Sequence, residues 1–75
     1  MGAKSLKYYN LVKILDNKHK KNIDFAKDVD IAYSTLTMKL IGAYDFKLDE
    51  MLKIQSYIEK LTGTKYALDY LFEKE

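Results

Sequence analysis

Apolar residues in this chain recur three and four positions apart in short bursts, and over no useful length do they alternate with polar ones. That spacing puts them on one face of a helix of 3.6 residues per turn, so the pattern predicts helices and argues against a half-buried sheet. Each burst is short, so several short helices must share one core. Only apolar packing is available to hold them together. The 75 residues include no cysteine for a disulfide or a thiolate site, and one histidine, His19. A domain of this size lies close to the limit at which a single core suffices. Its composition, 48% hydrophobic and 32% charged, is still that of an ordinary globular chain.

Five helical segments follow from the spacing. The first runs from about Leu6 to Asp16 with Tyr8, Leu11, Val12 and Leu15 on one face, and residues 1–5 read as a flexible tail. The turn-rich stretch "DNKHKKN" ends it. The second covers roughly Ile23 to Val29, with Asn22 as N-cap, Asp24 in the first turn, and Phe25, Ala26 and Val29 facing inward. The third, about Tyr33 to Ile41, sets Leu36 and Leu40 one turn apart and stops at Gly42. After the loop "AYDFK", the longest segment spans about Leu48 to Leu61. Its inner stripe is Leu48, Met51, Leu52, Ile58 and Leu61, with Gln55 the polar exception. Thr62 and Gly63 stop it, and Thr64 caps a last helix over Lys65 to Phe72 that carries Ala67, Leu68, Leu71 and Phe72. The expected fold is a single all-α domain over residues 1–75. No apolar run approaches the roughly 20 residues of a membrane span, and the N-terminus lacks the apolar core of a signal peptide, so a cytoplasmic protein is expected.

The net charge of +2 hides an asymmetry. Residues 1–22 carry a balance of +5, residues 23–42 of −1 and residues 43–75 of −2. A basic first third suits an anionic partner on one side; a lysine-rich solvated end explains the same numbers. All thirteen basic residues are lysine, which weakens a reading based on bidentate contacts to guanine.

Two short helices separated by about three residues, inside a small helical domain, make the architecture of a helix-turn-helix, here about residues 22–42. In that arrangement the second helix presents its first turns to the major groove. This is where the chain concentrates hydroxyls: Tyr33, Ser34, Thr35 and Thr37. Ala26, Ile31, Leu36 and Leu40 would fix the crossing of the two helices, with Thr35 packed behind the turn.

The stretch "NIDFAKDVDIAYSTLTMKLIGAYDFKLDEMLKIQSYI", followed by "LDYLF", resembles the Cro and phage-repressor (lambda-repressor-like, XRE) helix-turn-helix family. The resemblance rests on Phe25-Ala26, Ile31 after the turn, Leu36 and Leu40, and Gly42 at the helix end. It continues through the loop aromatic Phe46, the helix start Leu48-Asp49 and the closing pair Leu71-Phe72. It covers about residues 6–72 and implies a compact five-helix lambda-repressor-like domain. Three positions depart from the family pattern. Asp30 stands at the turn glycine, Ala32 replaces the serine that caps the second helix, and Asn22 replaces a glutamine that grips phosphate. Asp tolerates the left-handed backbone better than most residues, whereas Ala32 cannot cap.

The resemblance points to Tyr33, Ser34, Thr37 and Met38 as base contacts. Ser34 and Thr37 would hydrogen-bond base edges, and Tyr33 or Met38 would meet thymine methyl groups. Backbone contacts are expected from Lys18, Lys20, Lys21, Asn22, Lys39 and Lys47. A domain that reads one short half-site has low specificity, so DNA binding also favours a homodimer. Tyr57, Tyr66, Tyr70 and Phe72 are candidates for its contact, with core packing the alternative reading of the same residues.

Enzymatic readings lack parts. There is no cysteine, no glycine-rich phosphate loop and no carboxylate pair set in an apolar stretch, and no metal or cofactor is expected. The expected function is sequence-specific binding of double-stranded operator DNA by a small phage or prophage Cro-like repressor that acts by occupancy. The rival is a protein-interaction module of the same fold, an antirepressor or antitoxin-like partner of another regulator. The aspartates at 24, 28 and 30 and the uncapped Ala32 favour the rival.

Overall fold

The computed structural model describes residues 8–73, which form five helices and no strand. They are α1 (Tyr9–Asn17), α2 (Asn22–Val29), α3 (Tyr33–Leu40), α4 (Leu48–Thr62) and α5 (Leu68–Leu71). The expected N-terminal tail, and Leu6 as the start of α1, lie outside the described residues.

Each helix turns its apolar stripe inward. Leu11, Ile14 and Leu15 of α1, Phe25, Ala26 and Val29 of α2, Leu36 and Leu40 of α3, Ile54 and Ile58 of α4 and Leu71 of α5 meet in one core. Three rings close one end of it. Tyr8, just before α1, lies edge-on to Phe46 at 5.2 Å and to Phe72 at 5.8 Å, and Phe46 and Phe72 are 5.2 Å apart. Edge-to-face pairs at this spacing are favourable beyond the area they bury.

Tight left-handed turns end the helices. Past α1, His19 has φ 56°, and the N–H groups of Lys20 and His19 donate to the carbonyls of Leu15 and Asp16. Past α2, Asp30 has φ 59°, with Ile31 and Asp30 donating to Ala26 and Lys27. Past α3, Gly42 has φ 88°, with Ala43 and Gly42 donating to Met38 and Lys39. These are three Schellman closures, each satisfying carbonyls the helix leaves open. His and Asp are among the few side-chain-bearing residues enriched at positive φ.

Some expected boundaries and faces shift. Asn22 is the first helical residue of α2, not its cap; Lys21 holds the cap position in extended conformation. α3 stops one residue early, at Leu40. In α4 the inward stripe is Met51, Ile54, Ile58 and Leu61, while Leu48 and Leu52 are 64% and 48% exposed. At 100° per residue those two leucines sit roughly 100° or more from the centre of the buried stripe. The last helix begins at Leu68 rather than Lys65, preceded by Ala67 instead of a Thr64 cap. Gly63 turns left-handed, Thr64 donates its N–H to Thr62 Oγ1, and Gln55 Nε2 holds the Tyr66 carbonyl at 2.7 Å, so residues 64–67 stay unwound. Ala67 is consequently exposed rather than buried.

The face assignment of α4 is directly testable. Ile54→Ala removes a fully buried side chain and is expected to cost about 2–5 kcal/mol, lowering the melting temperature by roughly 10 °C or more. Leu52→Ala should stay within about 0.5 kcal/mol of wild type. Thermal melts followed by circular dichroism separate the two; equal losses would contradict the placement.

Candidate nucleic-acid interface

α3 rests on Leu36 and Leu40, which leaves Ser34, Thr37, Met38 and the adjoining Ile41 on its outer side. Tyr33 stands at the exposed N-terminal end. The four residues expected to contact bases are therefore together on one accessible face. The Thr37 hydroxyl donates to the carbonyl of Tyr33, one turn back, at 2.9 Å. Ala32 precedes the helix without a side-chain cap, as its chemistry requires, so no side chain satisfies the first N–H groups of α3.

Two open clefts meet beside Tyr33. One, of about 620 Å³, is lined by Asp16, His19, Lys20, Lys21, Asn22, Ile23 and Tyr33. The other lies between α2 and the start of α3, lined by Ile23, Ala26, Lys27, Asp30, Ile31, Ala32 and Tyr33. Ile23 and Lys27, one turn apart on α2, thus face the α3 side. Neither was singled out from the sequence, although their four-residue spacing and position opposite the buried Phe25–Val29 stripe carried the signal. Asp24 and Asp28, also one turn apart, lie on a different side of α2.

Asp28 is held there by two partners. Tyr57 donates its hydroxyl to Asp28 Oδ2 at 2.7 Å, and Lys20 Nζ lies 3.2 Å from the same oxygen. The bond from Tyr57, then that from Lys20, lowers the Asp28 carboxyl below its ordinary range, and the bond to Asp28 raises Lys20. Burial, then donation to Asp28, raises the Tyr57 hydroxyl. Lys20, expected on phosphate, is committed to this network, whereas Lys18, Lys21 and Lys47 are exposed and Asn22 is half-buried. Tyr57 belongs to the same network and lies 5.5 Å from Phe25, half-buried against the core. Phe72 belongs to the three-ring cluster and is likewise half-buried. Tyr66 stacks on Tyr70 at 5.5 Å and is partly buried against the core, leaving Tyr70 as the exposed member of the four.

Lys39 corrects a second expectation. It is only 6% exposed and points away from the outer face of α3. Its Nζ contacts both carboxylate oxygens of Glu50, at 2.6 and 2.7 Å, and lies 5.9 Å from the centre of the Phe46 ring. Glu50 Oε1 also accepts the Lys47 N–H at 2.9 Å, which closes the first turn of α4. The pair ties α3 to α4, and the Lys39 charge does not reach the surface. The outer face of α3 is left without charge; Lys21 and Lys27 line the clefts beside Tyr33 together with Asp16 and Asp30, whereas Lys18 lies by Thr62 and Tyr66.

Glu50 sets an acid limit on this anchor. Burial pushes its carboxyl up, but the hydrogen bonds from Lys39 and the Lys47 backbone, with the charges of both lysines, bring it below the ordinary glutamate range. A carboxyl whose pKa is lower folded than unfolded stabilises the fold above the unfolded value, and that stability disappears as pH falls through the folded value. Glu50→Gln should lower the urea midpoint at pH 7, and the gap to wild type should close from about pH 5 downward. Parallel curves across that range would show that the ion pair contributes nothing to stability.

No protein-family model, curated protein or solved structure matches the chain.

Proposed function

We propose that the chain is a DNA-binding transcriptional regulator of the lambda-repressor-like helix-turn-helix class, with α3 as the helix that enters the major groove. One observation carries this reading: Tyr33, Ser34, Thr37 and Met38 lie on the uncharged, accessible side of α3, and the exposed Lys21 and Lys27 line the clefts beside Tyr33. A surface that reads bases needs neutral hydrogen-bonding and apolar groups at its centre, with cations at the rim for phosphates. The turn supports the same reading, because Asp30 adopts the left-handed conformation that the family pattern assigns to a glycine. Asp28 is paired with Lys20 and faces α4 through Tyr57, whereas Asp16 and Asp30 line the clefts beside Tyr33 with Lys21 and Lys27. The proposed action is occupancy of an operator, by two copies on a two-fold-symmetric site.

A second reading draws on a specific feature of the same face. Ile23, Tyr33, Met38, Ile41 and Tyr44 are all large, apolar and exposed around α3, and a protein partner would bury them well.

Selection from a random duplex library, followed by affinity for the enriched sequence across a salt series, distinguishes the two. DNA binding predicts a palindromic motif. Three phosphate contacts per protomer, from Lys21, Lys27 and Lys47, give a slope of log affinity against log salt of about −2.7 for each half-site. Lys21→Ala should weaken all sequences alike and reduce that slope by about 0.9, whereas Ser34→Ala should flatten preference at one base position. Folded protein that enriches nothing at low salt would favour the protein partner.

A further inference from the structure

We infer that Thr37 acts as a hydrogen-bond acceptor toward DNA and imposes a preference for an amino base over a keto base at one position of the site. The inference rests on the DNA-binding reading and goes beyond it to the chemistry that the face selects. A threonine hydroxyl has one proton and two lone pairs. In Thr37 the proton is directed at the Tyr33 carbonyl, at 2.9 Å within the same helix, and the lone pairs remain on the partly exposed side chain. This rotamer is one of the two that threonine adopts in a helix because it makes this backbone bond. Releasing the proton forfeits a hydrogen bond whose net worth corresponds to a population shift of about fivefold.

Few other groups on this face compete for the role. Met38 and Ile41 bring no strong donor or acceptor, and Lys39, the nearest cation on the helix, is held inside by Glu50. Ser34, one turn earlier and exposed, can rotate its hydroxyl to donate or accept, so it discriminates less by sign. In the major groove the exocyclic groups fall into two classes. Adenine N6 and cytosine N4 donate, whereas guanine O6 and thymine O4 accept. A fixed acceptor meets the first pair favourably and sets two acceptors against each other with the second. Thr37 therefore sorts A and C from G and T on the strand it contacts.

The test compares duplex selections by wild type, Thr37→Val and Thr37→Ser. Valine keeps the shape and loses the oxygen; serine keeps the oxygen and can make the same backbone bond. At the position whose preference the valine variant erases, wild type and the serine variant should favour A or C over G or T by about fivefold or more. Replacing the selected adenine by purine, or the selected cytosine by 2-pyrimidinone, deletes the amine and should remove the same factor for wild type but not for the valine variant. A keto base at that position, or a valine variant with unchanged preference, overturns the inference while leaving DNA binding intact. Absence of duplex binding by all three folded proteins removes the DNA-binding reading, and the inference with it.

Discussion

The contact between Lys39 and Glu50 ties α3, already seated on α2 and the core through Leu36 and Leu40, to the start of α4. A lysine in the last turn of a short helix would ordinarily extend into water, where an ion pair contributes little. Here both oxygens of one carboxylate grip the ammonium group beneath the surface, and the same carboxylate closes the start of α4 through the Lys47 N–H. Removing either partner would leave a charge stranded in a partly dry site, which is more damaging than never having had the pair. The contact makes few demands on the outer face: Ser34, Thr37 and Met38 can vary without touching it, and the helix that presents them keeps its orientation.

A similar economy governs the other charges. Asp28 lies on a helix next to the candidate surface, yet Tyr57 and Lys20 take its oxygen toward α4. One ion pair thus takes a lysine and an acid below the surface, a second pairs a lysine with an acid upon it, and α3 itself carries no exposed charge. Formal net charge, which treats all of these groups alike, misses this partition. The partition leaves the outer face of α3 neutral in a chain of net charge +2.

The order and type of the helices were legible in the sequence because period and turn chemistry are local. Asp30 at the turn and Ala32 before α3 behave as their backbone chemistry requires, and the outer face of α3 follows from Leu36 and Leu40 alone. What failed to show locally depends on partners distant in the chain. Leu48 and Leu52 have the same four-residue spacing as Ile54 and Ile58, so spacing does not choose between the stripes; the position of the core does. Lys39 reads as a surface residue until Glu50 arrives across the loop, eleven positions later. The late start of α5 follows from Gln55 capturing the Tyr66 carbonyl, which no propensity at residues 64–67 reports. Tyr57 and Phe72 suffered from the same ambiguity, since an aromatic residue suits a core and an interface equally well.

The ring cluster at the end of the core carries a temporal consequence. Tyr8 has its ring partners at Phe46 and Phe72, so the first helix finds its seat only when the last one is present. A nascent chain leaving the ribosome can wind α2 and α3 early, because their contacts are close in sequence. The ring cluster at Tyr8, however, is complete only once residue 72 emerges. Contacts of such long separation slow the closing step of folding relative to the local ones. A chain that stalls before Phe72 is made would leave the Tyr8 ring with Phe46 alone and the end of the core open. Quality control would meet this protein as an incompletely closed bundle, not as an unfolded coil.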